Sequence, residues 1–229
     1  NFPGTGDPYY FNEVAGRAGY YQVDAVPMLY LDGIWQEYTI VTQEALDASY
    51  ETPSVANVRG AFNVEGNVIN ITADFMSYID INNVKVHVTI NEKTTTENFT
   101  YDYGLKEFHH VMMKMLSGDQ GKDLSTNAGE YQRLEFSYDM SSTFMEDIND
   151  LEVALWIQDG ETKEIYNSHY AYEYTEHCYP ARNLNVVAKT AKWDAPEKGN
   201  PSGYNVYVDG KLVAEKISSL EYTSEWKNN

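Results

Sequence analysis

The side chains best suited to covalent chemistry are few in this chain. Cys178 is its single cysteine, so neither an internal disulfide nor a Cys-x-x-Cys pair can form. Thiol–disulfide exchange needs a thiolate and usually a resolving cysteine, and the sequence supplies only one thiol. It also contains no Gly-x-Ser-x-Gly elbow and no glycine-rich phosphate loop. These observations predict a chain that is not an enzyme and holds no cofactor.

Histidines and carboxylates could instead bind a metal ion. The histidines form no His-x-x-x-His pair, which would aim two imidazoles at one ion. They are His87, His109, His110, His169 and His177. The run Glu146 to Asp150 offers oxygen ligands for calcium, but it lacks the glycine and the spacing of an EF-hand loop. We predict no metal site, with calcium at this acidic run as the alternative to a charged turn between strands.

Tyrosine is abundant, at 20 residues, and four tyrosines near residue 170 form the best candidate binding face. They are Tyr166, Tyr170, Tyr172 and Tyr174. All four have even residue numbers, and because side chains alternate between the two faces of a strand, they should share one face. Exposed rings could stack on sugars or on a protein partner. Buried rings would fill the core or a domain interface, which is the interpretation that we favour.

The formal net charge is −19. Repulsion from phosphates argues against a nucleic-acid partner and against an anionic membrane surface. No run of about 18 apolar residues occurs, so we predict no membrane-spanning segment. The net charge changes from −13 over residues 54–179 to +1 over residues 180–229. This shift predicts a domain boundary near Pro180, and a change of hydrophobic pattern near residue 54 separates residues 1–53 as a further segment.

The first segment has a mixed α/β pattern. Apolar residues at helical spacing predict a helix over residues 7–21, with Asp7 as its cap and Pro8 in its first turn. Residues 26–31 and 34–40 predict two strands joined by the turn Asp32-Gly33. Thr42 should cap a short helix over residues 43–49.

From about Ser54 the apolar residues alternate with polar ones. Such rows begin at Ile69, Val84, Leu134 and Leu151, and each predicts a strand with one buried and one wet face. Their repetition predicts an immunoglobulin-like β-sandwich over residues 54–179. The apolar residues from Leu105 to Leu116 fall at steps of three and one instead. This spacing predicts a helix, with a bulky loop packed on the sandwich as the alternative.

Several stretches resemble known families. The runs Asp7-Pro8-Tyr9-Tyr10, Tyr20 to Pro27 and Asp32-Gly33 resemble the second half of a thioredoxin-like domain. In that fold a cis-proline precedes a strand beside the redox site, and Pro27 matches it. Several short stretches resemble proteins related to the twenty-eight-kilodalton outer-membrane protein of Bacteroidetes-type bacteria: Lys106 to Val111 with Lys114-Met115-Leu116, Glu146 to Leu151, and Ile157-Gln158-Asp159 with Thr162-Lys163-Glu164. The resemblance implies a partial thioredoxin-like segment followed by the sandwich.

The last segment is similar to a fibronectin type III-like module. Trp193-Asp194-Ala195-Pro196 and the run Gly203 to Gly210 carry this similarity, with short strands and turn signals around them. Such a sandwich usually has about 100 residues, so residues 180–229 are expected to form only part of one.

These resemblances imply a cell-envelope, outer-membrane-surface or extracellular location, often with a lipid anchor in the precursor. The expected function is non-catalytic binding or adhesion, with a protein or a glycan at the cell surface as the partner. One alternative is a thioredoxin-family redox relative whose cysteine pair lies upstream or is lost. The other is an extracellular glycan-binding module.

Overall fold

The computed structural model describes residues 7–25, 28–36, 41–97, 107–173, 181–197, 200–208 and 211–224. The chain folds into two compact units, Asn1–Thr175 and Glu176–Asn229. The described residues are mainly β, which confirms the predicted fold class. The predicted boundary at Tyr179-Pro180 lies outside the described residues.

The N-terminal part of the first unit contains two helices and a hairpin. They are α1 (Asn12–Tyr20), β1 (Leu29–Leu31), β2 (Ile34–Gln36) and α2 (Gln43–Tyr50). As predicted, the Thr42 hydroxyl caps α2 by accepting the Ala45 N–H. The predicted cap of α1 was wrong. Asp7 accepts the Tyr9 N–H in a separate turn, and the helix begins only after Phe11.

Among the described residues, nine strands form the sandwich of the first unit. They are β3 (Ala56–Glu65), β4 (Val68–Ser77), β5 (Ile81–Thr95), β6 (Phe108–Met115), β7 (Lys122–Thr126), β8 (Tyr131–Asp139), β9 (Leu151–Asp159), β10 (Ile165–Tyr170) and β11 (Tyr172–Glu173). One sheet has the order β10-β9-β5-β6, with β7 also paired to β5, and the other has the order β11-β3-β4-β8.

The core lies between the inner faces of these two sheets. Ile69, Phe75, Val86 and Leu155 are fully buried there, as the alternating rows predicted. The five-stranded sheet contributes the apolar rows of β5 and β9, and the four-stranded sheet contributes those of β3 and β4. Polar residues of the same strands therefore face outward, because neighbours along a strand point to opposite sides.

The helix predicted around residues 105–116 was wrong, because β6 occupies Phe108–Met115. A β-bulge at Met113 explains the misleading spacing, since the pairing shifts by one residue between Met112 and Lys114. Met113 packs in the core, whereas Met115 lies opposite Thr89, on the outer face. Both faces of the strand thus carry buried apolar side chains, and this destroys the alternation that would identify a strand.

Arg17 attaches α1 to the outer face of the five-stranded sheet. Its guanidinium is buried and donates to the Gln158 Oε1, the Tyr21 hydroxyl and the Asp119 carbonyl, at 3.1, 3.0 and 3.2 Å. Gln158 is fully buried and donates in turn to the Tyr21 hydroxyl. Burial lowers the pKa of Arg17, and the tyrosine oxygens and the ring of Tyr20, 4.4 Å away, offset the lost hydration.

The hairpin β1–β2 is joined to the sandwich by its turn. Asp32 and Gly33 have φ of +48° and +81°, as a two-residue hairpin turn requires. A side chain at Gly33 would lie 1.9 Å from the Lys163 carbonyl oxygen, so only glycine allows this approach. The Asp32 carbonyl accepts the Ile165 N–H, which links the turn to β10.

His87 is a buried histidine on the outer face of β5. Its ring stacks on Trp156 with centroids 4.8 Å apart, and a Cβ added to Gly121 would lie 2.6 Å from its Cε1. Burial lowers the pKa of His87 to about 3, and the charges of Arg17 and Lys85 act in the same direction. The imidazole is therefore neutral at physiological pH.

The described part of the second unit contains five strands. They are β12 (Arg182–Val187), β13 (Thr190–Asp194), β14 (Tyr204–Val208), β15 (Lys211–Ile217) and β16 (Glu221–Thr223). They form a three-stranded sheet, β12-β13-β16, and a hairpin, β14-β15. Trp193 is buried and packs edge-on against Tyr204 at 5.5 Å. Leu184 and Val186, in contrast, are 62% exposed.

The attachment of α1 can be tested by substituting Arg17. We expect Arg17→Met to lower the free energy of unfolding by about 2 kcal/mol, because buried acceptors such as the Gln158 Oε1 lose their donor. Urea denaturation followed by tryptophan fluorescence measures this change. The exposed Arg59→Met serves as the control and should change stability by less than about 0.5 kcal/mol. Equal stabilities of the two variants would contradict the role of Arg17.

The pH dependence of stability tests the burial of His87. In the unfolded chain, His87 takes up a proton below its ordinary pKa of 6.5. In the folded chain, it takes up that proton only near pH 3. Stability should therefore fall as the pH drops from 6.5 towards 3, by up to about 1.4 kcal/mol per unit from this group. His87→Phe should reduce that slope of unfolding free energy against pH. An unchanged slope in the variant would show that His87 titrates normally.

Candidate functional site

Four side chains meet on the outer face of the five-stranded sheet and form what we call the His110 cluster: Asn91, His110, Glu152 and Tyr170. Each comes from a different strand, β5, β6, β9 and β10. Asn91 and Glu152 are Cα partners, and Tyr170 pairs with Ala154, which also faces outward. The order of the sheet thus brings together residues that are up to 79 positions apart in the sequence.

Stacking and hydrogen bonds hold the cluster in one arrangement. The His110 Nδ1 lies 2.7 Å from the Glu152 Oε1, and the imidazole stacks on the Tyr170 ring with centroids 5.9 Å apart and planes 29° apart. His110 has a φ of +56°, a conformation that side chains rarely adopt and that local contacts must support. The Tyr170 ring, 50% exposed, is therefore presented to solvent in a fixed orientation.

Asn91 forms the buried base of the cluster. Its side-chain amide lies beside the Glu152 carboxylate, with the Nδ2 and Oε1 atoms 3.5 Å apart. Only 7% of Asn91 is exposed, and its Oδ1 has no hydrogen-bond partner among the described residues. Burial raises the pKa of Tyr170, and the negative charge of Glu152 raises it further. The phenol therefore stays protonated and can donate a hydrogen bond at neutral pH.

The structure does not bring the predicted tyrosine row onto one face. Tyr166 points toward the core and donates to the Asp159 carboxylate at 2.8 Å. Tyr170 lies on the outer face of the five-stranded sheet, whereas Tyr172 pairs with Ala61 in the four-stranded sheet. A register shift between Ile165 and Asn167 and the change of sheet after Tyr170 break the parity. Tyr174 lies outside the described residues.

Two residues that bear on the predicted thioredoxin-like site, the cis-proline candidate Pro27 and the single cysteine Cys178, lie outside the described residues. The residues that follow α1 and the hairpin β1–β2 border a cavity of about 390 Å³, which is lined by Tyr21, Met28, Tyr30 and Lys163 among others. A second cavity of about 260 Å³ is lined by Tyr9, Phe11, Met113 and Phe144 among others.

The acidic run weighed for calcium serves to hold loops together. The Glu146 carboxylate accepts the N–H groups of Thr96 and Glu97, at 2.7 Å each. Glu92, fully buried, accepts the N–H groups of Glu146 and Asp147. Burial raises the pKa of Glu92, which these N–H groups partly oppose. Within the described ranges, no three His, Cys, Asp or Glu side chains converge as metal ligands would.

The sequence prediction missed His110, Glu152 and Asn91. The helix predicted around residue 110 gave no strand pairing for this segment, so nothing in the sequence placed His110 beside residues of β5 and β9. Alternation along β9 and β5 does place Glu152 and Asn91 on a face opposite to Val153 and Ile90. The sequence alternation therefore places both side chains on the outward faces of their strands, but only the strand order identifies them as neighbours.

Comparison with known proteins gives limited similarity. No family model matches the chain, and no curated protein matches it. Among solved structures, a domain of the outer membrane lipoprotein Omp28 from Porphyromonas gingivalis is similar at 14% identity and a TM-score of 0.38, covering 52% of this chain and 90% of that one. The match to a β-glucosidase from Kluyveromyces marxianus has 10% identity and a TM-score of 0.30, and covers 69% of this chain.

A β-glucosidase from Bifidobacterium adolescentis is also similar, at 16% identity, with a TM-score of 0.23 and 50% of this chain covered. The aligned regions make up only 18% and 16% of the two glucosidase chains. All three TM-scores lie below 0.5, so these similarities do not establish a shared fold. Neither described helix is long and apolar enough to cross a membrane.

The electrostatics of the cluster can be tested at Tyr170. Glu152→Gln removes the negative charge that helps to raise the pKa of the phenol, so this pKa should fall while burial keeps it above that of a free tyrosine. NMR titration of ¹³Cζ-labelled tyrosine measures the change. Glu135→Gln, on the other sheet, is the control and should leave the pKa of Tyr170 unchanged. If the pKa of Tyr170 were the same in the wild type and in Glu152→Gln, the charge of Glu152 would have no effect on the phenol.

Proposed function

We propose that this chain is a non-catalytic binding protein of the bacterial cell envelope or surface and that the His110 cluster contacts its protein or glycan partner. The observation that carries the proposal is the half-exposed Tyr170 ring, stacked on His110 and backed by the His110–Glu152 hydrogen bond. A tyrosine offers a large apolar face together with a polar tip, which suits both sugar rings and protein side chains.

The rigid mounting of Tyr170 favours binding. A side chain that is already held in its bound conformation loses little entropy when a partner arrives. Binding energy at protein surfaces is also concentrated in a few anchored residues, with tyrosine among the most frequent. The cluster meets both conditions, since Tyr170 is fixed from one side by His110 and exposed on the other.

The geometry of the cluster supports binding more than catalysis. Glu152 and His110 could act as an orienting acid and a base, but the group next to them is the Tyr170 phenol, whose raised pKa makes it a poor nucleophile. Neither of the two cavities described above includes a residue of the cluster. An open sheet surface does not exclude water, as catalytic sites commonly do.

The envelope location and the family relationship are part of the same proposal. Their support is the resemblance of short stretches to the outer-membrane-protein-related family, among them Lys106 to Val111 and Glu146 to Leu151. In the folded chain, the first of these stretches contributes His110, and Glu152 follows directly after the second. The resemblance therefore includes one residue of the cluster, His110.

Arrays of bacterial and host glycans and of peptides test the proposal. We expect at least one class of probe to be retained and its retention to fall at least tenfold in Tyr170→Ala, because the anchoring ring is lost. The matched control is Tyr207→Ala, since Tyr207 is 59% exposed but lies in the second unit. The retained probe should be recovered chemically unchanged. A probe that is cleaved or oxidised, or binding that survives Tyr170→Ala, would contradict the proposal.

A further inference from the structure

The outer face of the four-stranded sheet is a second surface with its own chemistry. Strand register aligns its side chains in rows that cross the sheet. One row contains Asn57, Met76 and Tyr131; the next contains Arg59, Asp74 and Arg133; and a third contains Tyr172, Ala61, Thr72 and Glu135. Their neighbours along the strands, such as Phe75 and Phe62, are buried in the core, so these rows face away from it.

Arg59 is the distinctive residue of this face. It lies opposite Asp74, but Arg133 occupies both oxygens of that carboxylate, with its Nε and Nη2 each at 2.7 Å. Arg59 is exposed and makes no ion pair or side-chain hydrogen bond with the described residues. Its guanidinium therefore keeps a full set of donors, arranged to hold a carboxylate through two parallel hydrogen bonds.

Exposed tyrosines flank Arg59. Tyr131 and Tyr172 are 57% and 56% exposed, and they lie on the two edge strands, β8 and β11. Burial raises the pKa of Tyr131, while the charge of Arg59 acts in the opposite direction. Three strand spacings of about 4.8 Å and an offset of four residues of about 3.3 Å each separate the two tyrosines by roughly 20 Å along a diagonal of the sheet. Arg59 lies between them, and an extended oligosaccharide can follow this diagonal.

We infer that this face binds an extended oligosaccharide that carries a carboxylate, such as a uronic acid. Arg59 pairs with the carboxylate, and the rings of Tyr131 and Tyr172 stack on sugar rings to either side. The small side chain of Ala61 leaves the surface low between them. This site is separate from the His110 cluster and does not rest on the proposed function of that cluster.

The composition of the face favours a sugar over a protein partner. Protein interfaces are enriched in tyrosine, methionine and arginine but depleted in Asp, Glu and Ser. This face places Asp74, Glu135 and Ser137 among its arginines and tyrosines, and it adds the amides of Asn63 and Asn70. Side-chain amides and hydroxyls offer donors and acceptors together, which match the hydroxyl groups of a sugar. The net charge of −19 opposes the approach of long, densely charged polyanions, so this face suits a short oligosaccharide that pairs one of its carboxylates with Arg59.

A pair of matched ligands tests the inference by isothermal titration calorimetry. Trigalacturonic acid should bind, and its fully methyl-esterified form, which lacks the charge, should bind at least tenfold more weakly. Arg59→Gln should weaken binding of the acid at least tenfold while leaving the ester unchanged. Tyr131→Ala should weaken both ligands. Arg182→Gln, on the second unit, should have no effect, and urea midpoints confirm that the variants stay folded.

The inference would be overturned if neither the acid nor a hyaluronan tetrasaccharide bound measurably, or if Arg59→Gln bound the acid as well as the wild type does. Binding of hexaglutamate as tight as that of the acid would also overturn it and would identify a surface for acidic peptides. Loss of acid binding in Tyr170→Ala would instead assign the sugar to the His110 cluster, which would support the proposed function and contradict this second site.

Discussion

Burial of one alternating row from each central strand is the constraint on which the rest of the structure depends. The inner faces of the two sheets remove apolar side chains such as Ile69, Phe75 and Leu155 from water, which is the main favourable contribution to folding. Because neighbours along a strand point in opposite directions, the polar residues between them are forced outward. Asn91, Glu152 and Arg59 occupy their positions for this reason.

The outer face of the five-stranded sheet is used in two ways. At one end, α1 covers it, and Arg17 satisfies Gln158 while Trp156 and Gly121 enclose His87. Polar groups can be buried there only because they have partners or, like the neutral His87, carry no charge. At the other end, the sheet is open around Tyr170 and His110. The same strands thus provide a support for the N-terminal segment and a surface for a partner.

Much of the fold could be predicted from the sequence because two of its signals are local. Alternating apolar residues located β4, β5, β8 and β9, and Thr42 located the start of α2. The bulge at Met113 hid β6, since an inserted residue changes which side of the strand is buried. The start of α1 was also misplaced, because a turn at Asp7 uses the same residue types as a helix cap.

The candidate sites could be predicted less well, because each depends on strand order. Tyr170 was identified as a candidate from parity alone, but its neighbours His110 and Glu152 come from strands that only the sheet brings close. The alternation of side chains also assigned Tyr172 to the same face. Because the chain passes from one sheet to the other after Tyr170, Tyr172 lies in the four-stranded sheet instead. A periodic pattern carries no information about where a strand changes sheets.

The most direct test of the binding role is to map the contact surface by NMR, using the probe that the arrays retain. Amide and side-chain shifts should change on titration at His110, Glu152 and Tyr170, while those of the core and of the second unit stay constant. Changes centred instead on the cavity lined by Tyr21, Tyr30 and Lys163 would show that the partner is bound by the N-terminal segment, and the role assigned to the His110 cluster would be wrong.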